Sequence, residues 1–162
     1  MENNIKPIKR SRQLAPLSRE HHNGLLFSWK LRQGLDNGTE LETLRQFCHW
    51  YWKEHIRKHF RDEENVLLKY LPVDSRLSKQ LMDEHNNIRE LIISIDRKPD
   101  TITIDMLADF ITRHIRFEER VMFKHLEENL SEAQLDEILS QLSVDEAVTK
   151  EWTDVFWERR GN

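Results

Sequence analysis

Residues 59–71 read HFRDEENVLLKYL, and residues 114–126 read HIRFEERVMFKHL. Aligned without gaps, seven of the thirteen positions are identical, and Leu67/Met122 and Leu68/Phe123 exchange one apolar side chain for another. Each copy opens with a histidine followed four residues later by a glutamate: His59/Glu63 and His114/Glu118. On a helix, residues i and i+4 lie one above the other on one face. Each copy therefore aims an imidazole and a carboxylate at one point. Two such helices facing each other make a site for two metal ions.

The surrounding chain reads as helix. It contains only four glycines and four prolines in 162 residues, so turns are few and elements are long. A first helix is expected from Ser18, a good N-cap, to Leu35, ahead of the turn signal Asp36-Asn37-Gly38. Thr39 is the expected cap of a second helix that runs to Leu71, where Pro72 stops it. A third opens at Asp74 or Ser75 and ends near Arg97, and a fourth runs from Asp100 or Thr101 to about Glu128. Four long helices with short connections predict an all-α, up-down antiparallel four-helix bundle. Ser131-Glu132-Ala133-Gln134 and Ser143-Val144-Asp145-Glu146 resemble capping boxes. They predict short extra C-terminal helices near 132–142 and 144–159. The expected organisation is an N-terminal arm over 1–16, a bundle over 17–130, and a C-terminal helical extension over 131–162 packed on the bundle. The last helix would carry Trp152, Phe156 and Trp157, either against the bundle or in a dimer contact.

Bulk properties narrow the class. A chain of this length buries a substantial core. Charged residues make up 33% and the formal net charge is −4, which gives no electrostatic case for nucleic acid or an anionic membrane surface. Cys48 is the single cysteine, so no internal disulfide forms, which suits a reducing compartment. The stretch MENNIKPIKRSRQLAP lacks the apolar run of a signal peptide or anchor. Cytoplasmic residence, as a monomer or homodimer, is the expectation.

Core stripes with i, i+3, i+4, i+7 spacing can be traced on all four helices. The second carries Trp52, Ile56, His59, Glu63, Val66 and Tyr70. The fourth carries Leu107, Phe110 or Ile111, His114, Glu118, Val121 and His125. The third carries Leu81, His85, Ile88, Ile92 and Ile95, and the first Leu17, His21, Leu25, Ser28 and Leu35. Every stripe holds a histidine in apolar company, and two also hold a glutamate. A buried carboxylate costs several kcal/mol unless it is paired or metal-bound. Imidazole and carboxylate donors suit iron, manganese or zinc, and no thiolate favours a softer metal. Two carboxylates can each bridge a metal pair, with two imidazoles left for each ion.

The other candidates rank lower. His125 lies eleven residues past His114, roughly 16 Å along a helix that rises ~1.5 Å per residue, and His49 is as remote from His59. His55, one turn from His59, is open as a ligand or as a hydrogen-bond partner of one. His22 competes with His21, which the echo of Glu20-His21 in Glu84-His85 favours. Glu64 and Glu119 sit beside the stripes, as solvated groups or as partners of the ligands. Cys48 reads as a small buried residue.

The order Glu20-His21, His59-Phe60-x-x-Glu63-Glu64, Glu84-His85, His114-x-x-x-Glu118-Glu119 resembles the hemerythrin-like, or HHE cation-binding, domain over about residues 14–130. That resemblance implies an up-down four-helix bundle around a non-haem di-iron centre of the Fe–O–Fe type, with zinc or manganese as alternative metals. By carry-over, His59 and His114 would be terminal ligands, Glu63 and Glu118 would bridge, and His21 and His85 would complete the set. Oxygen carriers of the family have a second histidine four residues after the third-helix one; here that residue is Arg89, which stays protonated and cannot ligate. They also tend to carry an aspartate five residues after the fourth-helix histidine, where this chain has Glu119. The likeness is closer to the branch with four histidines and two glutamates. That branch includes bacterial proteins linked to iron–sulfur cluster repair and nitrosative stress, and a eukaryotic iron- and oxygen-sensing domain. The repair proteins carry cysteines in an N-terminal segment, whereas Cys48 is the one cysteine here. The implied function is binding or sensing a small molecule such as dioxygen, nitric oxide or iron. The alternative is a di-iron enzyme of oxidative or nitrosative defence or cluster repair, with Tyr70 and His55 as proton donors.

Overall fold

A computed structural model describes residues 9–142 and 148–158 of the chain. Among them every regular element is a helix. α1 spans Ala15–Asp36. α2 (Leu41–Tyr51) continues through a π-helical turn at Trp52–Ile56 into α3 (Arg57–Asn65), and a 3₁₀ turn follows at Leu67–Tyr70. α4 spans Arg76–Arg97. α5 (Thr101–Phe117) continues through a second π turn at Glu118–Met122 into α6 (Phe123–Asn129), and α7 spans Glu132–Gln141. The four long rods touch in a ring: α1 on α5, α5 on α4, α4 on α2, and α2 on α1.

The helix starts follow local chemistry. Ser75 accepts from the Ser78 amide at 3.1 Å, and Asp100 from the Thr103 amide at 2.7 Å. Ser131 and Gln134 form the expected capping box. Two expected starts need correction. α1 begins at Ala15, ahead of Ser18, because Pro16 is tolerated in a first turn whose amides lack partners anyway; the Ser18 hydroxyl instead donates to Glu119 Oε2 at 3.0 Å. The second rod begins after Glu40, with no side-chain cap from Thr39 or Glu40.

The π turns move the core stripes. Each adds one residue to a helical turn, so the buried face beyond it shifts by one position. After Glu118 the buried residues are Met122, Phe123 and Leu126, while Val121 is exposed and His125 half-buried. Ile111 rather than Phe110 is buried on that rod. On the second rod the buried series is Leu44, Phe47, Cys48 and Tyr51, then Ile56, His59, Phe60 and Glu63, and Trp52 is only half-buried. On α1 the inward face runs Leu17, His21, Gly24, Phe27, Ser28, Leu31, Gly34; Leu25 is exposed and Leu35 half-buried. Gly24 takes the inward place because a Cβ there would come within 2.9 Å of Ile115 Cδ1, so its absence lets α1 approach α5.

The expected helix over 144–159 is not observed in its described part. Residues 148–158 carry no helix, and 143–147, with the second predicted capping box, lie outside the described residues. Thr153, Asp154 and Val155 have poor helix propensity, and other contacts hold the segment. Glu54 accepts from the Thr149 amide and hydroxyl, the Trp50 indole donates to the Lys150 carbonyl at 2.5 Å, and Phe156 packs edge-on to Phe47 at 4.9 Å.

Candidate metal centre

Between the two apolar clusters of the core lies a polar layer. His21 (α1), His59 and Glu63 (α3), His85 (α4), His114 (α5) and Glu118 (first residue of the second π turn) are all buried, with Glu63, His85 and Glu118 at 0% exposure. Their ligand atoms form two groups that could hold a metal ion: His21, His59, Glu63 and Glu118, and Glu63, His85, His114 and Glu118. In each group these atoms lie within 4.8 Å of one another, and both glutamates belong to both groups. The two copies of the repeated phrase thus meet in one layer, while His21 and His85 arrive from helices without it.

The inner atoms crowd one another. His21 Nε2 and His59 Nε2 are 3.1 Å apart, as are His85 Nε2 and His114 Nε2. Glu63 Oε1 lies 3.0 Å from His59 Nε2 and 3.3 Å from His85 Nε2; Glu118 Oε2 lies 2.7 Å from His21 Nε2, and Glu118 Oε1 contacts His114 Nε2. These are ion-pair distances, yet none of the four carboxylate oxygens has a partner in hydrogen-bond geometry.

The opposite nitrogen of every ring is held by a carboxylate. His21 Nδ1 faces Glu119 at 2.8 Å, His59 Nδ1 faces Glu20 at 2.5 Å, His85 Nδ1 faces Glu64 at 2.7 Å and His114 Nδ1 faces Glu84 at 2.8 Å. An ionised carboxylate only accepts, so each Nδ1 carries the proton and donates it. Neutral imidazoles then present bare Nε2 lone pairs in facing pairs, beside orphaned carboxylate oxygens. That arrangement is repulsive unless cations or protons sit among the atoms, and it fits a metal pair.

The titration behaviour says the same. Burial pulls the His85 imidazole down, but the carboxylates of Glu118, Glu63 and Glu64 outweigh it and raise it to about 10. His114 is likewise opposed by burial and lifted by Glu118, to about 9. His21 and His59 are raised against the same penalty. Burial pushes Glu118 up, but His114 and its neighbours hold it well below the usual carboxylate range. Without metal, the site recruits protons onto its nitrogens in place of cations.

Other candidates fall outside this layer. His22 is exposed. His55 packs against the rings of Tyr51 and Trp50, at 4.8 and 5.3 Å between centroids, and belongs to neither group of four. His49 lies 3.5 Å from Asp96, and His125 is beside Asn129. The Tyr70 hydroxyl donates to Glu137 at 2.9 Å on α7, so it is turned away from the layer. Cys48 is buried and its thiol pushed up by burial. Sequence reasoning missed Glu20 and Glu84 as acceptors for His59 and His114. The usable signal was the Glu-His dipeptide itself, since a ligating imidazole needs an acceptor for its second nitrogen.

Beside the imidazoles is a cavity of about 40 Å³, lined by Gly24, Tyr51, Ile56, Phe60, Ile88, Ile111 and Ile115 together with Glu20, His21, His59 and His114. It exceeds the roughly 10–15 Å³ that one water needs, and its walls are mostly apolar.

A helical protein whose rods converge two histidine–glutamate groups on shared carboxylates belongs to the class of metal-binding helical domains. The family described as the hemerythrin HHE cation binding domain matches residues 14–126, and the chain belongs to that family. No curated protein and no solved structure matches the chain. Among the described residues no helix is long and apolar enough to cross a membrane.

Proposed function

We propose that this chain is a non-haem di-iron protein that binds or senses a small molecule: dioxygen, nitric oxide or iron itself. In this reading the rods form an antiparallel up-down four-helix bundle in a cytoplasmic monomer or homodimer. His21 and His59 would hold one metal, His85 and His114 the other, and Glu63 and Glu118, shared by both groups, would contribute to each. The observation that carries it is the set of four orphaned carboxylate oxygens facing four Nε2 atoms whose Nδ1 protons are already engaged. Bound iron would supply reversible one-electron chemistry and open positions for a small ligand. The chain's own residues orient the imidazoles, exclude bulk water and leave a small apolar space beside the ligands. Zinc or manganese fits the same donors, so metal supply in the cell selects among them.

Tyr51 favours a second reading, a di-iron enzyme. It lines the cavity next to His59, and burial pushes its phenol up, so it stays a neutral donor there. Turnover of peroxide or nitric oxide by the loaded protein, lost in Tyr51→Phe with metal content unchanged, distinguishes an enzyme from a binder.

The test of the main reading is metal analysis joined to optical spectra with oxygen and with nitric oxide. About two irons per chain and ligand-dependent bands are expected. Replacement of Glu63 and Glu118 by Ala together should abolish iron loading; loading that survives both changes overturns the proposed shared ligands.

A further inference from the structure

Two arginines back the proposed metal ligands in matching ways, although nothing in the sequence relates them. Arg89 Nη2 lies 2.5 Å from Glu64 Oε2, the carboxylate that holds His85 Nδ1. The Arg89 guanidinium stands over the Phe60 ring at 5.4 Å, and Phe60 stacks on His85 at 3.7 Å with 9° between planes. Arg10 repeats the pattern on the other side. Its Nη2 lies 3.1 Å from Glu119 Oε2, the carboxylate that holds His21 Nδ1, and also donates to the Glu119 carbonyl at 2.6 Å. Its guanidinium stands over Phe123 at 5.4 Å, and Phe123 stacks on His21 at 5.2 Å and 12°. Glu127 locks Arg10 from behind, accepting from Nη1 at 2.7 Å and from the Ser11 amide at 2.6 Å.

The two remaining ligand histidines are held by glutamates with other partners: Glu20, behind His59, has Lys58 at 4.0 Å, and Glu84, behind His114, accepts from the Gln80 amide at 2.8 Å. Each group of four therefore has one imidazole backed in this stacked-arginine way. Arg89 sits four residues after His85, whereas Arg10 precedes His21 by eleven and lies outside the stretch that matches the family. The position four past His21 is Leu25, which is exposed. Two unrelated positions thus converge on one device.

Resting on the di-metal reading, the geometry points to Arg10 and Arg89 as paired positioning residues that set the hold and the redox balance of the two metals through Glu119–His21 and Glu64–His85. A carboxylate that shares its charge with a guanidinium accepts less strongly from the imidazole, so the imidazole donates less to its metal. The positive charge would also disfavour the more oxidised state of a bound metal, more strongly from Arg10, 8% exposed, than from Arg89, which is 30% exposed and better screened by water. Arg10, together with Ser18, also helps to fix the rotamer of Glu119, and Arg89 that of Glu64.

The test uses the full chain in two forms, loaded with iron and with redox-silent zinc. Arg10→Gln and Arg89→Gln should each move the iron reduction potential to more negative values; each should also speed zinc loss to a chelator several-fold, because a glutamate released from its guanidinium aligns the imidazole less firmly, and that loss of alignment outweighs the stronger donation. Arg10→Lys and Arg89→Lys, which keep the charge without the fork, should recover much of the potential but less of the slow release. The melting temperature of the metal-free variants separates this effect from a general loss of fold. Potentials and zinc-release rates equal to those of the unchanged chain in both Gln variants overturn the proposal. A wild-type chain that holds two zinc ions but shows no iron couple refutes the di-iron reading alone, and the zinc arm still decides the clamps; one that takes up no metal refutes both.

Discussion

At the scale of single residues, the polar layer works by giving each imidazole nitrogen one fixed task. Nδ1 carries the proton toward a glutamate, and Nε2 points at the inner carboxylates of Glu63 and Glu118, where the proposed cation would sit. His85, raised to about 10, and His114, raised to about 9, show what the layer does without metal. Both values lie above the ordinary imidazole value of 6.5, so their charged forms stabilise the metal-free fold fully below pH 6.5. That contribution is lost as pH rises toward 9 and 10. Metal binding has the opposite slope, because the cation must displace those protons. The drop in melting temperature on adding a chelator to the loaded protein should therefore be small at pH 6.5 and larger at pH 9. A drop that shrinks as pH rises would contradict this assignment of the Nε2 protons.

At the scale of elements, the two π turns are the main departures from a plain reading of the helices. The thirteen-residue phrase repeats in sequence but not in backbone. Its first copy is α-helical through Asn65 and ends in a 3₁₀ turn, and its second passes through the π turn at Glu118. A π turn equals one extra residue in an α-helix. Deleting Lys53, exposed in the first π turn, should convert that turn to regular helix and leave His59 and Glu63 on the inward face. Unchanged metal content and helical circular dichroism are the expected results for this deletion. Loss of metal would mean that the bulge itself positions the ligands. The outer glutamates matter at this scale as well. Glu20 ties α1 to α3, Glu64 ties α3 to α4, and Glu84 ties α4 to α5. Ligand alignment and helix packing are therefore one set of contacts.

At the scale of the molecule, the costly polar layer is enclosed by two apolar clusters. One contains Leu14, Leu67, Met122, Phe123, Leu135 and Ile138; the other contains Phe27, Phe47, Tyr51, Ile95, Ile104 and Phe156. The region after the bundle reaches both, through Leu135 and Ile138 of α7 and through Phe156. Phe156 also fills the space over Gly34, where a Cβ would come within 2.7 Å of its ring. Phe156→Ala should cost about 3–5 kcal/mol in denaturant unfolding while leaving metal content unchanged, since Phe156 belongs to neither candidate ligand group. A loss below about 1 kcal/mol would show that the segment contributes little to the core.

The helical class and the ligand chemistry were legible in the sequence because both are local. Few glycines and prolines, the 3.6-residue stripes and the His-x-x-x-Glu spacing act over one or two turns, and apolar company around a histidine or glutamate signals an unusual burial cost. The π turns were not legible, since an extra residue in a helix is stabilised by what packs against it; Val121 and His125 were expected inward for that reason. The stretch 148–158 was misread as helix because the anchoring of Trp50, Glu54 and Phe47 on residues 149–156 outweighs its local helical tendency. The partnership of each imidazole with a glutamate from another helix, and the convergence of Arg10 and Arg89 on matching positions, exist only in the packed structure. Which residue types a metal needs is written along one helix face; which carboxylate or guanidinium backs each ligand depends on how four rods approach, and residues far apart in sequence acquire that relation only when the core closes.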